Sequence, residues 1–209
     1  MKLTDDFVND GYGHNDPSWL VIHETANPNA TAADHAEFWK SRTQEGDAHY
    51  VVDWIEAFHT IPDDRIAYHV GGVANCFSVG IEICHATNAA DFEKVWNNAV
   101  ELAAYVLQEL DIDVSRMVSH KWANEHWNTG SDHTDPIGYF AEFGRTWDDF
   151  VNDVMEMIDM TTAKEIWEYD WEETAPAGNM YNCAVETNKL VRELLERVKK
   201  LEKEIEDIK

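Results

Sequence analysis

Histidine and acidic side chains stand at the ends of apolar segments that lie far apart in the sequence. His23 ends one such segment, Glu82 lies inside a second, and His120 follows a third, with Asp135 shortly after it. A charged or coordinating group beside a buried strand costs desolvation free energy unless the site uses that group. Two imidazoles and one carboxylate form a three-ligand zinc site with a fourth position for water. The pattern therefore predicts a hydrolytic metal centre.

The local sequence around these residues supports a shared site. The segment 24–28 breaks the strand that holds His23, which places the imidazole where clefts in α/β sheets open. His120 is predicted to open a polar loop, and Pro136 restricts the backbone of Asp135 to extended conformations. Four of the ten histidines have no supporting context and are assigned no role: His14, His35, His59 and His126.

Strands and helices alternate along the first part of the chain. Short apolar runs predict strands over residues 19–22, 49–53, 56–61, 79–84 and 117–119. Helical periodicity and capping signals predict helices over residues 31–42, 92–110 and 146–160. We therefore expect an α/β fold in which a mixed central β-sheet is flanked by helices.

Several of these segments resemble the zinc-dependent N-acetylmuramoyl-L-alanine amidase type 2 family, which includes phage endolysins, bacterial autolysins and peptidoglycan-recognition proteins. The resemblance spans roughly residues 15–155 and is nearest to the choline-binding autolysin subgroup, although choline-binding repeats have no counterpart in this sequence. The similar stretches, in chain order, are residues 21–28, 49–53, 67–72, 78–83, and 119–120 leading to 131–136.

The resemblance implies a role for each central residue. His23, His120 and Asp135 would be the zinc ligands, Glu82 the acid/base residue, and His133 the group that stabilises the oxyanion. Many relatives carry Lys in place of His133 and Cys in place of Asp135, so this sequence departs from them as the autolysin subgroup does. Two imidazoles and a carboxylate remain a sound set of zinc ligands.

Three further residues are predicted to bind substrate. Tyr50 and His69 resemble cleft residues of the family that contact substrate, and Trp122, close to His120, is expected to stack on a sugar or peptide. Packing in the core is the alternative role for each.

The resemblance implies a peptidoglycan hydrolase that uses a zinc-bound water to cleave the amide between N-acetylmuramic acid and L-alanine. One alternative is a noncatalytic peptidoglycan-binding module on the same fold. Another is an endopeptidase that cuts within the stem peptide. The favoured biological setting is a phage endolysin that lyses a Gram-positive host.

The net charge and the hydropathy of the sequence limit the kinds of partner and compartment that we expect. The net charge is −25, and residues 1–160 carry −21 of it. Nucleic acid and anionic membrane surfaces would repel this domain, so we expect neither as a partner. No apolar stretch has the length of a transmembrane helix, and the first residues do not resemble a secretory signal. Three cysteines without a CxxC spacing suit a reducing compartment. We expect a protein held in the host cytoplasm that reaches the wall after release.

The sequence predicts three regions: a zinc amidase catalytic domain over residues 1–160, a connector over 161–180 and a helix over 181–209. The last region has a heptad pattern that favours a parallel coiled coil and a homo-oligomer, although wall targeting or folding back on its own domain are alternatives. The residues at its a and d positions are Ala184, Thr187, Val191, Leu194, Val198, Leu201, Ile205 and Ile208.

Overall fold

A six-stranded β-sheet lies at the centre of the computed structural model, which describes residues 1–41 and 46–173, with side chains as far as Thr161. Its strands lie in the spatial order β1-β4-β3-β5-β2-β6. Neighbouring strands are parallel except for the antiparallel pair β3 and β4, which confirms the predicted mixed sheet. The strands are β1 (Leu3–Asp5), β2 (Trp19–Glu24), β3 (Tyr50–Val52), β4 (Ala57–His59), β5 (Ser78–Ile83) and β6 (Met117–Ser119).

Helices flank the sheet, as the sequence predicts. The α-helices are α1 (Ala32–Lys40), α2 (Ala89–Glu109), α3 (His120–His126), α4 (Ile137–Glu142) and α5 (Trp147–Glu173). Two short 3-10 helices cover Gly72–Cys76 and Val114–Arg116. The expected capping box of α1 is present, with the side chains of Thr31 and Asp34 each accepting a hydrogen bond from the other's backbone. The short elements β1, α3 and α4 have too few residues for a periodic pattern and were not predicted.

Different helices pack against the two faces of the sheet. Side chains on one face form the main core with α2, α4 and α5, where Trp96, Phe140 and Phe150 are fully buried. Side chains on the other face form two smaller clusters with α1, α3 and the first 3-10 helix. Because neighbouring residues of a strand point to opposite faces, the apolar residues of one parity fill the main core and those of the other parity are available for a site.

The last helix differs from its predicted extent. Helix α5 continues to Glu173, into the predicted connector, because the first helix-breaking residue after Met160 is Pro176. Residues Met1–Thr162 form one compact unit. The predicted coiled coil and homo-oligomer interface over 181–209 lie outside the described residues. Within the described part of the chain, no helix is long and apolar enough to cross a bilayer.

Asp53 connects several elements near the sheet. Its side chain is 1% exposed and accepts hydrogen bonds from the backbone N–H groups of Ala32, at the start of α1, and of Ile55 and Glu56. We expect Asp53→Ala to lower the free energy of unfolding by about 2–3 kcal/mol because a buried donor loses its acceptor. Urea denaturation measures this change.

The exposed cap residue Asp113 provides a matched control. Its side chain accepts one hydrogen bond, from the backbone N–H of Ser115. We expect Asp113→Ala to cost no more than about 1 kcal/mol. Equal losses for the two variants would contradict the role of Asp53 in tying α1 to the sheet.

Candidate metal centre

His23 and Glu82 are neighbours on adjacent strands. The register of β2 and β5 pairs His23 with Glu82, and it pairs Ile22 with Ile81 one residue earlier. Paired residues of adjacent strands point to the same face. Ile22 and Ile81 belong to the main core, so His23 and Glu82 point to the opposite face, between α1 and α3. Strand alternation alone therefore separates the reactive groups from the main core.

His120 reaches the same place from the first turn of α3. The helix begins there because the hydroxyl of Ser119 accepts a hydrogen bond from the backbone N–H of Trp122. The prediction that His120 opens a polar loop was wrong, since the Ser119 cap starts a helix instead. The Nδ1 atoms of His23 and His120 lie 3.0 Å apart, and both side chains are buried.

Asp135 completes the group from the segment before α4. Its carboxylate oxygens lie 3.4 Å from Nδ1 of His23 and 3.2 Å from Nδ1 of His120, and it accepts a hydrogen bond from the backbone N–H of Glu24. The backbone of Lys121 donates to the carbonyl of Asp135, which ties the segment to α3. One donor atom from each of the three predicted ligands lies within 4.8 Å of the others.

The electrostatics of this group suit a cation. Burial lowers the pKa of His23 and so favours its neutral form. Burial opposes the charge of Asp135, but the neighbouring imidazoles of His120 and His23 hold the pKa of its carboxyl well below the ordinary value. Imidazole nitrogens and one carboxylate converging in a buried place match the donor set of a catalytic zinc site.

Glu82 is the second acidic group at the centre. Burial, followed by the negative charges of Asp135 and Glu24, raises the pKa of Glu82 to about 8. Its Oε2 atom is buried and has no hydrogen-bond partner among the described residues. Buried polar atoms without a partner are rare in folded proteins. A role of Glu82 in binding or transferring protons would account for this one.

A cleft of about 680 Å³ opens over the centre. Its wall includes the three candidate ligands, Glu82, and the predicted residues His69 and His133. The side chain of His133 is 66% exposed, and its Nδ1 atom lies 3.8 Å from a carboxylate oxygen of Asp135. His133 therefore stands at the rim, where it can meet a bound molecule.

Two of the predicted substrate-binding residues do not line this cleft. Tyr50 is 2% exposed in the main core and donates a hydrogen bond to Asp63, because its place in β3 turns it to the face opposite Glu82. Trp122 follows His120 by two helical positions, about 200° around the axis, and points away from the centre. It packs instead against Trp19 and His126.

Sequence reasoning missed other residues of the cleft wall. His35 and Trp39 both line the cleft from α1, where a separation of four residues places them on one helical face. Glu24 also lines it, and its carboxylate lies 2.7 Å from Nδ1 of His85. The available signals were the position of Glu24 next to His23 and the helical spacing of His35 and Trp39.

Comparisons with known proteins agree with this architecture. Residues 13–138, more than half of the chain, match the profile of the family described as N-acetylmuramoyl-L-alanine amidase. The bifunctional autolysin of Staphylococcus aureus strain Mu50 is 29% identical over 147 residues, which cover 66% of this chain and 12% of that protein. The match thus spans about an eighth of the length of that relative.

Two solved structures share the fold. The hydrolase AmiA of Staphylococcus aureus, determined in complex with its ligand, has a TM-score of 0.72 and 24% identity over 78% of this chain and 86% of that one. A mutant endolysin from Bacillus subtilis has a TM-score of 0.61 and 28% identity over 74% of this chain and 99% of that one. The first likeness establishes the fold alone.

The raised pKa of Glu82 predicts how stability depends on pH in the metal-free protein. The folded state holds the Glu82 proton up to about pH 8, whereas the unfolded chain releases it near the ordinary value of 4.5. Between these values, the free energy of unfolding should fall with rising pH in the wild type relative to Glu82→Gln, by roughly 2–4 kcal/mol in total. Urea denaturation with a chelator present measures the difference.

The same substitution at the exposed Glu109 of α2 controls for the loss of one negative charge. A wild type and a Glu82→Gln variant whose stabilities change in parallel from pH 5 to pH 8 would show that Glu82 is ionised in the folded protein.

Proposed function

The chain belongs to the N-acetylmuramoyl-L-alanine amidase family, and on this premise we propose that it hydrolyses the amide between N-acetylmuramic acid and L-alanine in peptidoglycan. The observation that carries the proposal is the convergence of His23, His120 and Asp135 at the floor of a cleft, beside the buried carboxyl of Glu82. These groups are drawn from four separate parts of the chain, which makes a purely structural role a poor explanation.

The three convergent residues would hold a zinc ion through Nδ1 of His23, Nδ1 of His120 and a carboxylate oxygen of Asp135. When bound, zinc would supply a Lewis acid that polarises the amide carbonyl and makes water a better nucleophile. The residues themselves neutralise part of the charge of a divalent cation and exclude solvent from one side of it, since both imidazoles are buried. The backbone N–H of Glu24 keeps Asp135 in orientation.

Glu82 would move the proton. Its carboxylate takes a proton from the attacking water and delivers it to the amine nitrogen of the departing L-alanine, so the carboxylate is regenerated in each turnover. Burial favours the protonated form and raises the pKa of Glu82 to about 8, whereas a nearby cation would lower that pKa again. A carboxyl whose pKa lies near neutrality both accepts and donates a proton readily.

His133 would stabilise the negative charge that develops on the carbonyl oxygen. Its ring stands at the rim of the cleft, 5.0 Å between centroids from the ring of His120, with its side chain mostly exposed. An imidazole N–H at that place can donate a hydrogen bond to the oxygen. Removal of one such donor from other hydrolases lowers kcat by about 10²–10³.

Lysis of a Gram-positive host by a phage endolysin is the biological setting that we propose. The likeness to an endolysin from Bacillus subtilis and to a staphylococcal autolysin supports a protein that acts on walls of this kind. Synthesis in the host cytoplasm followed by release to the wall is part of the same proposal. A homo-oligomer through residues 181–209 remains a prediction.

Digestion of purified Gram-positive cell walls tests the activity. The wild-type protein should release new amino groups on L-alanine without new reducing sugars, and a chelator should abolish the release until Zn²⁺ is restored. Glu82→Gln should lower the rate by at least about 10²-fold because proton transfer is lost, while zinc remains bound. End-group analysis of the soluble products measures both effects.

The exposed substitution Glu109→Gln is the matched control and should leave the rate unchanged. New amino groups on other residues of the stem peptide would indicate an endopeptidase. Walls that are bound but not cut by the zinc-loaded wild type would indicate a noncatalytic binding module. Either result contradicts the proposed amidase.

A further inference from the structure

A series of hydrogen bonds leads away from the metal centre on the far side of the His23 ring. Nε2 of His23 lies 2.9 Å from Nδ1 of His69. Nε2 of His69 lies 3.3 Å from the hydroxyl oxygen of Ser78, and this hydroxyl donates to the carbonyl of Ala74 at 2.7 Å. We call these four groups the His69 chain. Its outer end is a backbone carbonyl, which can only accept.

The carbonyl of Ala74, which can only accept, determines the direction of every hydrogen bond in the His69 chain. The hydroxyl of Ser78 has one hydrogen, which goes to the carbonyl of Ala74, so towards His69 it can only accept. His69 must then carry its proton on Nε2, which leaves Nδ1 as an acceptor. His23 must therefore carry its proton on Nε2, and its Nδ1 atom points to the centre as a free lone pair. Burial lowers the pKa of both imidazoles, in keeping with neutral rings.

The His69 chain excludes the other neutral tautomer of His23, which carries its proton on Nδ1. Its Nδ1 atom lies 3.4 Å from a carboxylate oxygen of Asp135. Without His69, a proton on Nδ1 would bond to that carboxylate, and the nitrogen would then have no lone pair for a metal ion. The tautomer of His23 therefore determines whether its Nδ1 atom has a lone pair available for a metal ion.

The fold holds the His69 ring in the orientation that the chain requires. The side-chain oxygen of Asn75 accepts hydrogen bonds from the backbone N–H groups of three consecutive residues, beginning with His69. Gly80 leaves room for the ring, since a Cβ atom there would lie 2.5 Å from Nδ1 of His69. Ser78 and Gly80 share the face of β5 that carries Glu82, so one strand supports both the chain and the acid/base group.

Neighbouring groups do not compete for the same ring atoms. His49 packs edge-on against His69, with ring centroids 5.4 Å apart, but its own nitrogens bond to the backbone of Gly80 and Arg65. Both nitrogens of His69 already have partners in the protein. His69 also lines the cleft, so the expectation that it contacts substrate stays a prediction.

The other imidazole ligand lacks such support. Nε2 of His120 is buried and has no hydrogen-bond partner among the described residues. The two imidazoles of the centre thus differ: Nε2 of His23 has His69 as its partner, whereas the described residues offer no partner to Nε2 of His120.

We propose that His69 is a positioning residue that holds His23 in the tautomer with a free Nδ1 lone pair, and that Ser78 and the carbonyl of Ala74 set its direction. The proposal rests on the metal-ligand role of His23 in the proposed function. The geometry makes the centre ready for zinc before the ion arrives, because no proton has to move between the ring nitrogens.

The tautomer itself is measurable without zinc or activity. In the metal-free wild type, ¹⁵N chemical shifts of the His23 ring should show a proton on Nε2 and a bare Nδ1. In Ser78→Ala, His69 loses the hydroxyl that accepts from its Nε2 and keeps only its hydrogen bond with the Ser78 backbone. Part of the population can then turn its proton towards His23, so the His23 shifts should move partway towards the Nδ1-protonated form. A wild-type His23 that is protonated on Nδ1, or shifts that do not change in Ser78→Ala, would overturn the proposal.

Zinc affinity provides the second readout, by competition with a chromophoric chelator at one fixed pH. Ser78→Ala and His69→Phe should bind zinc about 10–100-fold more weakly than the wild type. His69→Asn retains an oxygen acceptor near the position of Nδ1 and should recover most of the affinity. Equal affinity in the wild type, Ser78→Ala and His69→Phe would contradict the proposal.

Thr60→Val is the matched control for Ser78→Ala. The Thr60 hydroxyl also donates to a buried backbone carbonyl, that of Ala48 at 2.6 Å, but it has no contact with the His69 chain. The Thr60→Val variant should be less stable than the wild type but should bind zinc with the same affinity. A wild type that shows the expected His23 tautomer but binds no zinc would refute the proposed function and leave the tautomer assignment standing.

Discussion

The constraint on which the site depends is the cost of burying a carboxylate beside two imidazoles. Asp135 lies within 3.4 Å of both rings, and one backbone N–H holds it in place. A desolvated charge in this setting is stable only when positive charge or hydrogen bonds compensate it. That N–H compensates it in part, and a divalent cation would do so fully. This arrangement is the one expected if the three residues hold the metal ion that we propose.

The sheet separates this polar centre from the main core by strand alternation. On β5, the residues of one parity are Ser78, Gly80 and Glu82, and they share the face of the sheet on which the cleft lies. The residues of the other parity are apolar and fill the main core with α2. A single six-residue strand therefore supports the His69 ring, makes room for it and supplies the candidate proton-transfer group. Rigid strands hold such groups more firmly than loops can.

The fold class and the convergence of His23, His120, Asp135 and Glu82 could be predicted because strand ends and acidic residues in apolar runs are visible in a sequence. The directions in which the side chains of Tyr50 and Trp122 point could not be predicted, since they depend on strand register and on where α3 begins. The His69 chain was also beyond prediction. It joins residues from β2, β5 and the segment between β4 and β5 through hydrogen bonds that exist only in the folded chain.

X-ray absorption at the zinc K-edge tests the central claim most directly, because it reports the atoms bound to the ion. The zinc-loaded protein should show two imidazole nitrogens and oxygen ligands at about 2.0–2.2 Å, and His23→Ala should remove one of the imidazoles from the spectrum. A spectrum with sulfur at about 2.3 Å, or one that does not change in His23→Ala, would place the ion elsewhere and contradict the account.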